Sequence, residues 1–186
     1  MPNPTLNRVK KEKMPENIQN DFNTALKIRD DATFMEVAAN APEVYDWYKN
    51  SFYGKIFYGG RVDVRTKELL RLRLSMTHGC AFCNKGNRIA AHESGVTKEQ
   101  IKMIMNENAD CFDEKDKAIL ELADQIVIPN MNGNLDKNLY SKLKKFYSDA
   151  EIFELGIAAG ILTGMAKFLF VYDLVEKEDN CPINPL

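Results

Sequence analysis

Apolar positions recur at helical spacing along nearly the whole chain, and no run of alternating β-branched residues bounded by turn signals interrupts them. The predicted fold class is therefore all-α, a helical bundle. Residues 1–14 are polar and proline-punctuated and are expected to form a flexible N-terminal arm, with Pro15 suited to the first turn of a helix over 15–29. A short helix is expected over 33–39. Asn40 and Pro42 interrupt it and restart the pattern as "PEVYDWYKNSFYGKIFY", which Gly59 and Gly60 end. The next helix, 64–76, carries Leu69, Leu70, Leu72 and Leu74 among Arg71 and Arg73. His78 and Gly79 break it, so that Cys80 opens a following helix running to about Glu93 and stopping at Gly95. Thr97 and Gln100 form a capping-box pattern ahead of a helix over 98–106. Helices over 113–128 and 136–147 flank the turn "NMNGN", and a last one is expected from about Asp149 to Glu176. The organisation expected is an arm (1–14), one helical domain (15–177) and a C-terminal tail (178–186).

The last helix changes the picture in one respect. "LGIAAGILTGMAKFLFVYDLV", 155–175, is apolar all round and about long enough to span a bilayer, while Gly156, Gly160 and Gly164 give it a small-residue stripe that lets helices approach closely. Lys167 and Asp173 within it oppose lipid contact, so it is read as a buried core or subunit-interface helix and no membrane is expected.

With 186 residues and 45% hydrophobic content, the chain can fill one core. Its 25 basic and 27 acidic residues are interleaved and give a formal charge of -2, which leaves no excess to hold a polyanion, so nucleic acid is not an expected partner. The first residues, "MPNPTLNRVKKEKMPENI", contain no apolar h-region, which points to a cytoplasmic, reducing compartment.

The four cysteines stand at 80, 83, 111 and 181, and only the first two are close. A thiol at a helix start meets unpaired amides and the positive end of the macrodipole, which favour the thiolate, and a second thiol one turn on can close a disulfide. On spacing alone, Cys83 is expected to be the sheltered member and Cys80 the reachable one. The same pair is also half of a zinc site or two inert buried thiols. Zinc lacks partners, because Cys111 and Cys181 are far apart and the only histidines are His78 and His92. Cys111 and Cys181 are taken as structural or incidental, with Cys181 exposed.

The run "KELLRLRLSMTHGCAFCNKGNRIAAHESGVTKEQI", 67–101, resembles the carboxymuconolactone decarboxylase family, specifically its AhpD-like alkylhydroperoxidase branch. That branch places a glutamate twelve residues before CxxC, a histidine four residues after the second cysteine and a closing glycine. Glu68, Cys80, Cys83 and Gly95 fit, and Asn87 stands where the histidine belongs. The likeness extends over about 34–175. It implies an AhpD-like bundle assembled as a homotrimer or homohexamer, with the thiols near a subunit boundary. It also implies Cys83 as the peroxidatic thiol, Cys80 as the resolving thiol and Glu68 as part of a proton relay. No cofactor and no metal are implied.

Asparagine cannot take and return a proton near neutral pH. His92, nine residues past Cys83, falls on the opposite side of a straight helix, so His78, just ahead of Cys80, is the candidate replacement. Arg65, Arg71, Arg73 and Arg88 surround the motif in sequence and could supply charge to a thiolate or an anionic substrate, but the surface is the expected place for them. Tyr45, Trp47, Tyr48, Phe52, Tyr53, Phe57 and Tyr58 are expected to serve core and interface packing rather than a ligand. The function expected is a thiol-dependent oxidoreductase with a small hydroperoxide or disulfide as substrate and a thiol electron donor that the sequence does not name. The alternatives are a lactone decarboxylase or isomerase, which would not need CxxC, and a non-catalytic oligomeric binding protein.

Overall fold

The computed structural model describes residues 1–179 and residue 181. Its helices are α1 (Glu16–Arg29), α2 (Thr33–Ala38), α3 (Pro42–Asp46), α4 (Val64–Thr77), α5 (Ala81–Glu93), α6 (Lys98–Lys102), α7 (Glu114–Ile126), α8 (Lys137–Lys144) and α9 (Asp149–Val171). A 3₁₀ turn covers Lys11–Lys13, and α3 runs on as a π-helix over Trp47–Phe57. Among the described residues there is no strand, so the chain is all-α as its periodicity requires.

Helix α4 is the axis of the molecule. Its ten consecutive residues from Thr66 to Ser75 are all buried, and it packs against α5, α7 and α9. Leu69, Leu70, Leu72 and Leu74 meet Ile119, Leu120, Leu139, Leu143, Leu155 and Ala159 in the main core. A helix covered on every side must also bury the charges that lie among its leucines. Lys67 donates to Glu154 at 2.9 Å, Arg71 Nε to Glu68 at 2.9 Å, and Arg73 forks onto both oxygens of Asp124 at 2.8 and 2.7 Å. This corrects the expectation of surface arginines: Arg71 and Arg73 are buried and Arg65 is half-buried against Asp116, leaving Arg88 as the exposed member. Buried charge is tolerable only when paired, and each of these is.

Helix ends follow the side chains that flank them. The capping box at Thr97 and Gln100 forms, as does another at Ser148 and Glu151, and Asp63, Asp113 and Asp136 each cap a helix with a carboxylate. Helix α6 is shorter than its pattern, stopping at Lys102. Helix α9 stops at Val171 rather than near Glu176, because Asp173 turns left-handed (φ 53°): its N–H reaches Phe170 O and that of Leu174 reaches Leu169 O. These two bonds make a Schellman stop that turns the chain back across the start of α5, with Glu178 N–H donating to Gly79 O at 2.8 Å.

Two further expectations change. The N-terminal stretch lies along α2, with Val9 N–H on Glu36 O at 3.0 Å, Arg8 paired with Glu36, and Met14 buried. Cys181 is buried rather than exposed, packed in the second apolar cluster with Leu174 and Val175; residue 180 and residues 182–186 of the expected tail lie outside the described residues. Helix α9 is long and apolar enough to cross a membrane by length and composition. In the structure its inner face, Ile152, Leu155, Ala158 and Ala159, is buried, while Phe153, Ile157 and Val171 stand exposed on its other side. Side chains added at Gly156, Gly160 or Gly164 would meet open space.

Candidate active site

One residue joins two helices at this site. Helix α4 ends in a Schellman motif: Gly79 (φ 63°) donates to Met76 O, and Cys80, the next residue, donates to Ser75 O. A Cβ at Gly79 would be strained in that left-handed conformation, which is why glycine precedes the first cysteine. Cys80 is at once the end of that motif and the N-cap of α5, its Sγ accepting from Cys83 N–H at 3.2 Å. The local sequence therefore fixes the pair one turn apart. The two sulfurs are joined as a disulfide, with 5.2 Å between the Cα atoms.

The order of burial is the reverse of that expected from spacing. Cys80 is 0% exposed, whereas Cys83 is half-buried. The cause is the returning chain after α9: Glu176 O accepts from Phe82 N–H, and Phe170, Leu174 and Val175 pack in the same cluster as Cys80.

Both cysteines line a cavity of about 460 Å³, within the size range of small-molecule sites. His78 and Asn87 line it too. Of the expected residues, Glu68 stands apart: it is buried, but its carboxylate is held by Arg71, and it is Arg71 that faces the cavity. Burial raises the Glu68 pKa and Arg71 only partly offsets this. Arg71 itself loses by burial, yet Tyr53 and Glu68 hold it firmly charged.

His78 sits at the α4–α5 corner with its Nε2 accepting from Ile128 N–H at 3.1 Å. That bond commits Nε2 to the backbone and puts the ring proton on Nδ1, while burial lowers the pKa to about 4. The imidazole is neutral at pH 7. Because the unfolded chain takes up this proton near the ordinary value of about 6.5 and the folded chain resists until about 4, stability is complete above that window and falls as pH drops through it. Between pH 6.5 and 5 the wild type should lose about 1–2 kcal/mol more than His78→Gln, read from denaturant unfolding at both pH values. Equal losses would mean that His78 titrates normally. His92 lies away from the cavity, bonded through Nδ1 to Val96 O.

The opposite wall is a tyrosine ladder. Tyr48, Tyr53 and Tyr58 are each five residues apart, and the π-helix, whose bonds run from residue i to i+5, brings them onto one face. Their rings meet in sequence, edge to face at 5.2 Å between Tyr48 and Tyr53 and stacked at 5.8 Å between Tyr53 and Tyr58. Tyr58 N–H donates to Tyr53 O at 2.8 Å, five residues back. Burial raises the pKa of Tyr48 and Tyr58, so they remain hydroxyl donors at neutral pH.

Residues 42–125, which hold the ladder, both cysteines, Glu68, His78 and Asn87, match the carboxymuconolactone decarboxylase family. To that extent the chain is similar to the family, over 84 of its 186 residues. A curated relative, the uncharacterized protein YdfG of Bacillus subtilis (strain 168), is 30% identical over 92 residues, which are 48% of this chain; the match spans 61% of the relative's length. Among solved structures, the debrominase Bmp8, in a complex of a variant with 2,3,4-tribromopyrrole, aligns over 96% of this chain and 94% of its own at TM-score 0.73 and 15% identity. The alkylhydroperoxidase AhpD core of an uncharacterized peroxidase-related protein from Ralstonia eutropha JMP134 aligns over 96% and 94% at TM-score 0.72 and 11% identity. An AhpD-type antioxidant defence candidate from Agrobacterium tumefaciens, of unknown function, aligns over 73% and 91% at TM-score 0.65 and 20% identity. At these identities the likeness shows the fold, an AhpD-like helical one.

The family segment does not account for the whole cavity. Arg29, at the end of α1, and Leu162, Met165 and Leu169 of α9 lie outside it yet line the same space. The tyrosines of the ladder, expected as packing, are wall residues; their spacing of five was the signal that could have placed them. Arg29 carried no signal, since a basic residue in the last turn of a helix reads as complementing its dipole. Among the described residues no group of three or more His, Cys, Asp or Glu is arranged to hold a metal ion.

Proposed function

We propose that the protein is a thiol-dependent oxidoreductase that reduces hydroperoxides or disulfides through Cys83 and Cys80. The observation that carries this reading is the pair itself: a half-buried sulfur on a cavity wall with a fully buried one bonded behind it. The Cys83 thiolate attacks the distal oxygen of R–O–OH; an S–O bond forms, the O–O bond breaks, and the alkoxide leaves as ROH after taking a proton. The Cys80 thiol then displaces water from the Cys83 sulfenic acid, closing the disulfide. An external dithiol reopens it by exchange and is oxidised in turn. The net change is ROOH plus dithiol to ROH, water and a disulfide. With a disulfide substrate the same thiolate attacks sulfur instead.

Arg71, charged and facing the cavity, favours the attacking thiolate, and Glu68 acts through it as a positioning partner with a protonation equilibrium of its own. Asn87 leaves the proton steps without the family's histidine, so turnover is slow. Asn87→His should raise kcat/KM for hydroperoxide about tenfold or more; an unchanged rate would mean that the relay runs through other groups. Stopped-flow mixing of the reduced protein with an organic hydroperoxide is the direct test, and thiols that stay reduced would end this reading.

The cytoplasm fits a pair that must be returned to dithiol in each cycle. The open glycine stripe and exposed Phe153, Ile157 and Val171 of α9 fit a homotrimer or homohexamer packed on that face.

A second two-electron substrate suits the aromatic wall. In reductive debromination an aryl bromide and the dithiol give the arene, bromide, a proton and the disulfide, and bromide release would reveal it. A lactone decarboxylase would leave the paired sulfurs idle, and carbon dioxide release separates that alternative.

A further inference from the structure

We propose that Arg29 makes the cavity a site for aromatic carboxylates, its guanidinium binding the anion while the ring lies along the tyrosine wall. Placing a hydroperoxide on the same molecule at Cys83 rests on the redox reading above; the anion site does not.

The charges around the cavity pair off with one left over. Arg71 is held by Glu68, and Asp21 is shared between Lys49 (2.5 Å) and the hydroxyl of Tyr45 (2.8 Å). No ion pair or side-chain hydrogen bond of the Arg29 guanidinium is found among the described residues, and its Nε is fully buried without a partner. Its Cζ lies over the ring of Phe82, 4.7 Å from the centroid, a cation–π contact that uses one face of the guanidinium and leaves its N–H edge for a planar carboxylate. Arg29 is half-buried, and a cation partly withdrawn from water without a counter-charge carries a desolvation cost that an arriving carboxylate relieves. Burial and then the neighbouring Arg71 lower the Arg29 pKa, as expected of two like charges facing one cavity.

The chain makes room for this arrangement. Gly86 lies inside α5, where glycine is unfavourable by about 1 kcal/mol relative to alanine. A Cβ there would run into the Arg29 Nη2, so the missing side chain is the seat of the guanidinium. Gly86 follows Cys83 by three residues, and positions so spaced on a helix stand about 5–6 Å apart on one face. The anion is therefore held about one helical turn from the half-buried sulfur, close to the span across a para-substituted benzene ring. Arg29 lies outside residues 42–125, so this site is a property of the chain rather than of the family segment.

Two measurements test it. First, calorimetry on the reduced wild-type protein compares 4-isopropylbenzoate with neutral 4-isopropylbenzyl alcohol and needs no turnover. The benzoate should bind at least about tenfold tighter, and Arg29→Gln should erase that preference while Arg29→Lys keeps part of it. Second, the ratio of kcat/KM for para-carboxylated cumene hydroperoxide to that for cumene hydroperoxide should fall about tenfold in Arg29→Gln. Gly86→Val, which displaces the guanidinium from the other side, should give the same fall if Arg29→Gln folds poorly. No benzoate preference in the wild type, or one that survives both substitutions, overturns the proposal. So does an equal loss for both substrates, which would mark a structural role. Arg29-dependent binding without any turnover would keep the site and remove the redox reading.

Discussion

Cys83→Ser abolishes hydroperoxide turnover, with kcat/KM falling on the order of 10³-fold or more, because serine at neutral pH offers no comparable nucleophile. The half-buried position of Cys83 makes it the sulfur that a substrate in the cavity meets first. Cys80→Ser should behave differently. With its buried partner gone, Cys83 still reacts once and then stops, so mass spectrometry should find one added oxygen on Cys83 and no disulfide. Excess dithiol would reduce that sulfenic acid slowly, leaving a small residual rate. If Cys80→Ser stayed inert while Cys83→Ser consumed one equivalent of peroxide, the two roles would have to be exchanged. The N-cap position of Cys80 makes that outcome worth measuring, since a helix start favours its thiolate.

The largest loss of stability is expected at Glu154, far from the sulfurs. Lys67 is 0% exposed and donates to Glu154 at 2.9 Å and to Ile56 O at 2.8 Å; Glu154 also accepts from Arg61 N–H at 2.8 Å and Val62 N–H at 3.1 Å. One ion pair thus ties the end of the π-helix, the loop after it, α4 and α9. Gly60 belongs to the same knot, because a Cβ there would strike the carboxylate. Glu154→Ala leaves Lys67 buried and unpaired and should cost about 3–5 kcal/mol, measured by urea unfolding. Lys67→Met with Glu154→Leu should recover much of that. A double variant as unstable as the single one would mean that the amide bonds to Glu154, not the charge pair, hold the corner. Burial acts to raise the Glu154 pKa, but the two amides and Lys67 hold it below the ordinary value. Its contribution is therefore present above about pH 4.3 and is lost as pH falls through the lower folded value.

Much of this was legible in the sequence. Helical spacing, the capping box at Thr97 and Gln100, and Gly79 and Gly95 mark most helix boundaries, because those signals act within one or two turns; the second box, at Ser148 and Glu151, is not among the expected signals. The CxxC pair, Glu68 and the substituted Asn87 stood in a recognisable frame. Burial was less legible. Arg71 and Arg73 look like surface residues until α4 is known to be covered on every side, and Cys80 looks reachable until the chain returns over it from α9. Both facts depend on contacts between residues far apart in sequence, which local patterns do not carry. The π-helix is hidden for another reason: a period of 3.6 accommodates 42–58 as an ordinary helix, and its tyrosines align only with a period near five.

That period has a consequence for how such a pocket can change. In an ordinary helix, reshaping one wall means exchanging side chains one at a time. Here the wall depends on a count of backbone units, so losing a single residue between 47 and 57 would rewind the segment and rotate Tyr53 and Tyr58 away from the sulfurs together. Changes of length in this stretch, rather than replacements within it, are the route by which descendants of the same scaffold could exchange one guest molecule for another.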